Sequence, residues 1–307
     1  MNHKSVVFSF FVSIMFAAAA GCAPTPEQVT PTLPPIVQVT AESSPTVQPT
    51  ATLAPTVTPL PTATATPAPT ATPFITPPAA GQAIVAPILM YHHLKYLEPN
   101  ASEALQTWTV APDQFAAQLD YLQQKGFHTI TFKQLVEFFD NGAPLPTNPI
   151  LLTFDDGWID GYTVAFPELT KRGMVGNFFV PTQYADAGGE LFMNWDQIRE
   201  MDRAGMEIDG HTIDHADLNK ANLDVLRRQL RASKQQMEQE LGHPVYALSY
   251  PFGAFNAGVV AETEAAGYRA AVILCCGYEL NSDILLTLPR IRISYNDPLS
   301  EIEKKLP

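Results

Sequence analysis

Two short stretches of this chain set metal-ligand and proton-transfer side chains at spacings suited to hydrolysis. Thr153-Phe154-Asp155-Asp156-Gly157 directly follows the apolar run 150–152. Adjacent carboxylates at a strand end point to different sides of the chain, so one can bind a metal while the other handles a proton. An Asp-Asp-Gly alone would be a turn, but the strand in front of it makes that reading incomplete. Downstream, His211-Thr212-Ile213-Asp214-His215 sets two imidazoles four residues apart. On a helical turn that spacing puts both on one face, as a divalent ion requires. Asp156, His211 and His215 then supply three ligands of mixed oxygen and nitrogen type and leave positions for water, the arrangement of a catalytic zinc or similar ion. A structural zinc would be closed by four ligands and would favour cysteine, which this region lacks.

Two further strand ends carry usable groups. Tyr91-His92-His93 closes the apolar run 86–91, and a histidine there could donate a proton near neutral pH or simply sit satisfied in the core. Ser249-Tyr250-Pro251-Phe252-Gly253 breaks into a Pro/Gly turn where backbone N–H groups can face a ligand. Trp158 and Trp195 lie near the motifs and could form a wall on which a sugar stacks; core packing is the alternative.

The elements that must position these groups alternate in type. Residues 86–91, 150–154, 177–180, 246–250 and 270–274 read as strands. Residues 113–125, 132–139, 162–172, 195–204, 223–241 and 259–266 read as helices, the first with Phe115, Leu119 and Leu122 at helical spacing and Gly126 as a stop. Strand then helix, repeated, predicts an α/β fold with a mainly parallel sheet, closed or nearly so, in which chemistry sits where strands end. Arg227, Arg228, Arg231 and Lys234 within 223–241 read as a solvated helix face. Cys275-Cys276 read as small buried hydrophobes, because adjacent residues on a strand point apart.

The chain has 307 residues, 18 Lys+Arg against 31 Asp+Glu and a net charge of −13. That balance, with no basic stripe, argues against a nucleic-acid groove. Three cysteines cannot staple a small domain, so a core must supply the stability. Residues 1–22 read as an export signal: Lys4, an apolar run from Val6 to Ala20, then Ala19-Ala20-Gly21-Cys22, which resembles a bacterial lipobox with Cys22 as the lipidated residue. Plain secretion is the alternative. Residues 23–82 form a Thr/Pro-rich segment with Glu27 and Glu42 as its only charges. It has too little apolar surface to offset ordering, so a disordered, extended linker is expected, with residues 83–307 as the catalytic domain.

The three motifs, in this order, resemble the polysaccharide deacetylases with a NodB homology domain, carbohydrate esterase family four. The resemblance covers nearly all of the chain after the linker. It implies a distorted (β/α) barrel of about seven units. It also implies Asp155 as catalytic base, Asp156, His211 and His215 as ligands of a divalent metal, most simply Zn²⁺ with Co²⁺ or Ni²⁺ as alternatives, and the Phe252 N–H as an oxyanion donor. Tyr250, Trp158 and Trp195 are the expected substrate contacts. Many members take the general acid from a late histidine, yet no histidine follows His243. A permuted branch, including deacetylases of poly-N-acetylglucosamine, carries Tyr-His on the first strand, and Met90-Tyr91-His92 resembles it, which makes His92 the acid with His93 as the competing neighbour. Where many members have Arg in the third motif this chain has Ser249, and Arg290 in Leu288-Pro289-Arg290-Ile291 could orient Asp155 in its place. The implied protein is an exported monomer, anchored through Cys22 or secreted, that removes N-acetyl groups from a cell-wall or extracellular polysaccharide. An O-acetyl xylan esterase and a catalytically silent carbohydrate-binding homologue compete with that reading.

Overall fold

Short, largely buried runs form the sheet, the central ones rich in apolar and aromatic residues. The computed structural model describes residues 73–79, 81–274, 277–295 and 297–307; the export signal with Cys22, nearly all of the Thr/Pro segment, and Cys275-Cys276 lie outside them. Eight strands make one parallel sheet: β1 (Ile88–Tyr91), β2 (His128–Thr129), β3 (Pro149–Phe154), β4 (Asn177–Val180), β5 (Glu207–Gly210), β6 (Ala247–Ser249), β7 (Ala270–Val272) and β8 (Ile291–Arg292). Their spatial order is β7-β6-β5-β4-β3-β1-β8, with β2 paired to the start of β3. Leu89 lies opposite Leu152 and Thr153 opposite Asn177. A parallel bridge between Val272 and Leu288 draws the segment leading into β8 onto β7, so the sheet curves toward closure as a barrel short of eight full units.

Side chains alternate between two cores. Leu152, Phe154, Phe178, Val180, Ile208 and Leu248 face the helices Pro112–Gln124, Trp195–Arg203 and Leu223–Leu241, through residues such as Phe115, Ile198 and Leu230. Leu151, Phe179, Ala247 and Val272 face inward, where Phe132, Leu135 and Phe138 of the helix Phe132–Asn141 join them. Each fully buried Val, Leu, Ile or Phe side chain among these contributes about 1.5–3 kcal/mol relative to exposure. Toward the strand ends the inward positions become polar, at Thr153 and Ser249, and the site forms there.

Three elements differ from the sequence reading. The helix 162–172 is a π-helical turn, Gly161–Ala165, followed by an α-helix, Phe166–Lys171. Pro167 has no N–H to keep the α ladder running, and Phe166 N–H reaches back to the Gly161 carbonyl instead. Strand pairing occurs before residue 83: Phe74–Ile75, an adjacent apolar pair near the end of the Thr/Pro segment, runs antiparallel to Leu145–Pro146. Lys234, read as part of a solvated face, is buried and donates to the Val245 carbonyl at 2.8 Å.

Strand β5 has no apolar run to announce it, because its inward positions are carboxylates that hold backbone. Glu207 accepts the Phe132 and Lys133 N–H groups, the latter at 2.9 Å, and so caps the helix Phe132–Asn141 from outside its own Thr131/Gln134 capping box. Asp209 Oδ1 accepts from Tyr246 N at 3.2 Å and Ala247 N at 2.8 Å, while Oδ2 is buried with no hydrogen-bond partner among the described residues. Burial pushes the Asp209 carboxyl up to about 7 from 3.8, against the pull of those two N–H groups. Between those values the native protein holds a proton that the unfolded chain has released, so stability falls as pH rises, by about 1.4 kcal/mol per pH unit for this group. Asp209→Asn is expected to flatten that fall. Urea midpoints from pH 4 to pH 8 would show it, and parallel curves for the two proteins would refute it.

Candidate active site

Five non-glycine residues adopt a left-handed φ among the described residues, and four of them surround one point: Asp156 (72°), Thr212 (66°), His215 (60°) and Phe252 (60°). Such backbone is costly and persists where surrounding structure enforces it. It also corrects the helical reading of the His211–His215 stretch. The segment is a turn that leaves the end of β5, and reversal of the chain at Thr212 and His215, not a helical face, brings the two imidazoles together.

Asp156 Oδ1 lies 3.2 Å from His211 Nε2 and 3.3 Å from His215 Nε2, and the three ligand atoms fall within 4.8 Å of one another. The donor set fits a divalent ion on three counts. One oxygen and two nitrogens suit a borderline metal. Asp156 Oδ1 is buried and makes no hydrogen bond among the described residues. His211 Nδ1 lies 2.7 Å from the Ser249 carbonyl, which can only accept, so Nδ1 carries the proton and Nε2 presents its lone pair to the centre. Burial would raise the Asp156 carboxyl, but the two imidazoles hold it well below the usual carboxylate range. Burial alone would lower His211, and the neighbouring Asp156 and Asp155 carboxylates together with the Ser249 carbonyl more than reverse that.

Trp158 Nε1 donates to Asp156 Oδ2 at 3.1 Å, which leaves Oδ1 for the centre. The indole is clamped between Phe192, at 4.7 Å between ring centroids, and His93, at 4.2 Å, and His93 Nδ1 is in turn held by Asp160 Oδ2 at 3.1 Å. Trp158→Phe keeps the clamp and deletes the N–H. It is expected to weaken divalent-metal binding by about 10-fold or more, the usual cost of losing a partner of a ligand. Competition against a chromophoric chelator measures this directly; an unchanged affinity would mean that Asp156 is oriented without the indole.

Beside the triad, Asp155 is 3% exposed and takes a two-pronged contact from Arg290: Nη1 to Oδ1 at 2.7 Å and Nη2 to Oδ2 at 2.8 Å. Ser249 Oγ donates to Asp155 Oδ2 at 3.0 Å and accepts from Arg290 Nη2 at 3.1 Å. Burial would raise the Asp155 carboxyl; the Arg290 guanidinium overrides it and keeps the group below its ordinary value. His92 Nε2 lies 4.0 Å from Asp155 Oδ2, with its ring against Trp108 at 4.5 Å. Burial pushes His92 down, and the charges of Asp155 and Asp156 offset this only in part.

His92, Asp155, Asp156, His211 and His215 line one cleft of about 450 Å³, walled by Trp108, Trp158, Tyr250 and Phe252. Arg290 stands behind it through Asp155. Phe252 projects outward, 61% exposed, with its ring 4.5 Å from that of His215. Tyr250 borders the cleft but is 1% exposed, and its hydroxyl is committed to the Leu286 carbonyl at 3.1 Å. Trp195 is not part of this cleft. It starts the helix Trp195–Arg203 and donates to Asp186 Oδ1 at 2.7 Å, outside the lining of the cleft. Sequence reasoning passed over Trp108 and the bridging part of Ser249. The hydroxyl replacing the usual third-motif arginine was a departure whose meaning needed Arg290 beside it.

Residues 142–271 match the family model described as polysaccharide deacetylase. The Bacillus subtilis protein YxkH, which carries a polysaccharide deacetylase name, is 28% identical over 208 residues, covering 68% of this chain and 71% of that protein. The poly-β-1,6-N-acetyl-D-glucosamine N-deacetylase of Escherichia coli K12 is 25% identical over 238 residues; the match covers 62% of this chain and 34% of that enzyme. The structure of the Streptococcus pyogenes deacetylase PplD in complex with acetate is similar with a TM-score of 0.68 at 28% identity, over 74% of this chain and all of that one.

Proposed function

This chain belongs to the polysaccharide deacetylase family, and from that premise we propose that it hydrolyses N-acetyl groups on amino sugars of an extracellular or cell-wall polysaccharide, using a divalent ion, Zn²⁺ in the first instance, held by Asp156, His211 and His215. The observation that carries this is the division between neighbouring aspartates: Asp156 faces two imidazoles, while Asp155 is buried, ionised and fixed by Arg290 within the same cleft. The E. coli relative's name, an N-deacetylase, favours the amide over the ester.

When bound, a divalent ion lowers the pKa of water and polarises a carbonyl. Asp155 accepts the proton of the attacking water, and Arg290 supplies the charge that keeps it ready to do so. As the new C–O bond forms, the oxyanion faces the Phe252 N–H, a contact worth roughly 3 kcal/mol where such donors have been removed. His92, neutral at rest through burial, receives a proton from Asp155 and passes it to the leaving nitrogen as the C–N bond breaks. The products are acetate and a free amine, with the proton taken from water delivered to the amine. The edges of Trp108 and Trp158, with the exposed Phe252 ring, give the cleft apolar borders against which a sugar can lie.

Export belongs to the same proposal. It rests on residues 1–22 and on the polymeric substrate; among the described residues no helix is long and apolar enough to cross a membrane. Acetate release from N-acetylglucosamine oligomers, peptidoglycan, poly-N-acetylglucosamine and acetylxylan is the direct test. Release from an amino-sugar polymer that stops with chelator and returns with Zn²⁺ or Co²⁺ is the expected result. Release from acetylxylan alone would replace the amidase reading with an esterase, and none from any polymer would leave a binding module.

A further inference from the structure

A second cavity, of about 600 Å³, adjoins the cleft. The two share Leu274, and the second is lined also by Tyr278, Ile291, Arg292 and Lys305. Arg172, Arg199, Arg227, Arg231, Arg269 and Arg290 all pair with carboxylates. Arg292, at the end of β8 and exposed, forms no ion pair among the described residues. Its guanidinium lies 5.0 Å over the Trp108 ring, and that ring lies 4.5 Å from His92. The stack holds the fork in place before any ligand arrives, which removes part of the ordering cost of binding. Lys305 is occupied: its Nζ donates to Asp297 Oδ2 at 2.7 Å and to the Arg292 carbonyl at 3.1 Å, so it fixes the strand end and adds no free charge. Tyr278, 37% exposed, offers an aromatic face in the same cavity.

Resting on the deacetylase reading of the cleft, we propose that this cavity is a subsite for a sugar bearing a carboxylate, next to the sugar that loses its acetyl group, with the Arg292 guanidinium as the anion receptor. A guanidinium matches a planar carboxylate with two parallel N–H donors. One unpaired cation suits a monoanion better than a phosphate dianion. The net charge of −13 does not oppose this, because at physiological salt charges more than about 8 Å apart are largely screened and local contacts decide.

The test compares two glycans of equal length on the metal-loaded protein: a neutral N-acetylglucosamine oligomer, and a strand in which alternate sugars carry a lactyl ether carboxylate. A kcat/KM about 10-fold higher on the carboxylated strand, mainly through KM, is expected from one charge-assisted contact. Arg292→Gln should bring the ratio close to one. Equal kcat/KM in the parent protein, or an Arg292→Gln variant that slows both glycans alike as a mere prop for Trp108 would, overturns the subsite. Calorimetric binding of the same pair to metal-loaded Asp155→Asn protein reads the preference without turnover. A preference there, with no acetate released by the parent protein, would uphold the subsite and reject the deacetylase reading, while equal binding would reject the subsite.

Discussion

Arg290→Met is expected to cost about 3–5 kcal/mol of folding stability, the penalty for stranding one member of a buried ion pair. Every N–H of this guanidinium is used: Nε on the Ile273 carbonyl at 3.1 Å, Nη1 on Thr153 Oγ1 at 3.2 Å and Asp155 Oδ1 at 2.7 Å, Nη2 on Asp155 Oδ2 at 2.8 Å and Ser249 Oγ at 3.1 Å. Both partners are almost fully buried, so water cannot replace the lost donors. Asp155→Leu added to Arg290→Met should recover most of the loss, because exchanging a whole buried pair for apolar groups is often near neutral. Urea denaturation of the four proteins in the cycle gives the coupling energy. A single-variant loss below about 1 kcal/mol would show that the interior tolerates the lone carboxylate. Catalysis should follow in a stated direction. With the guanidinium gone, burial raises Asp155, and the acid limb of the rate profile moves to higher pH. Lysine at this position supplies charge without the fork and should restore stability only in part.

The contrast between Arg290 and its surroundings shows what can be read from residues alone. The Asp-Asp pair was legible because an apolar strand runs straight into it, and β3 ends where that run ends, at Phe154. Arg290 was legible as a substitute because the third motif lacks its arginine and a strand-like segment ends near a distant one. Strand β5 was not, since Glu-Ile-Asp-Gly has no β-forming composition and is held by carboxylates that accept backbone N–H groups from the helix Phe132–Asn141 and from β6. The geometry of His211 and His215 was right in outcome and wrong in cause. Spacing of four predicts a shared helical face, whereas two left-handed residues in a turn produce the same convergence, and no local propensity announces φ near 60° at a threonine and a histidine. Trp158 and Trp195 look alike in sequence. Only packing separates the indole that holds a carboxylate in the cleft from the one that donates to Asp186 outside it.

Asp155→Asn and His211→Ala should fail in different ways. The first keeps the side-chain shape and an oxygen for Arg290 but removes the negative charge that accepts a proton. Turnover is expected to drop by about 10²–10⁴, the range for loss of general base catalysis. Metal content after dialysis should not change, because Asp155 faces Arg290 and Ser249 and contributes no atom to the triad. His211→Ala removes a ligand nitrogen, and with it the link from the triad to the Ser249 carbonyl, so metal and turnover should be lost together. Ser249 is the hinge of this distinction: its hydroxyl serves the base and its carbonyl serves the ligand. Elemental analysis paired with acetate release reads both quantities on the same sample. Equal metal loss in the two variants would mean that the neighbouring aspartates share one task, and the assignment of a separate proton acceptor would have to be abandoned.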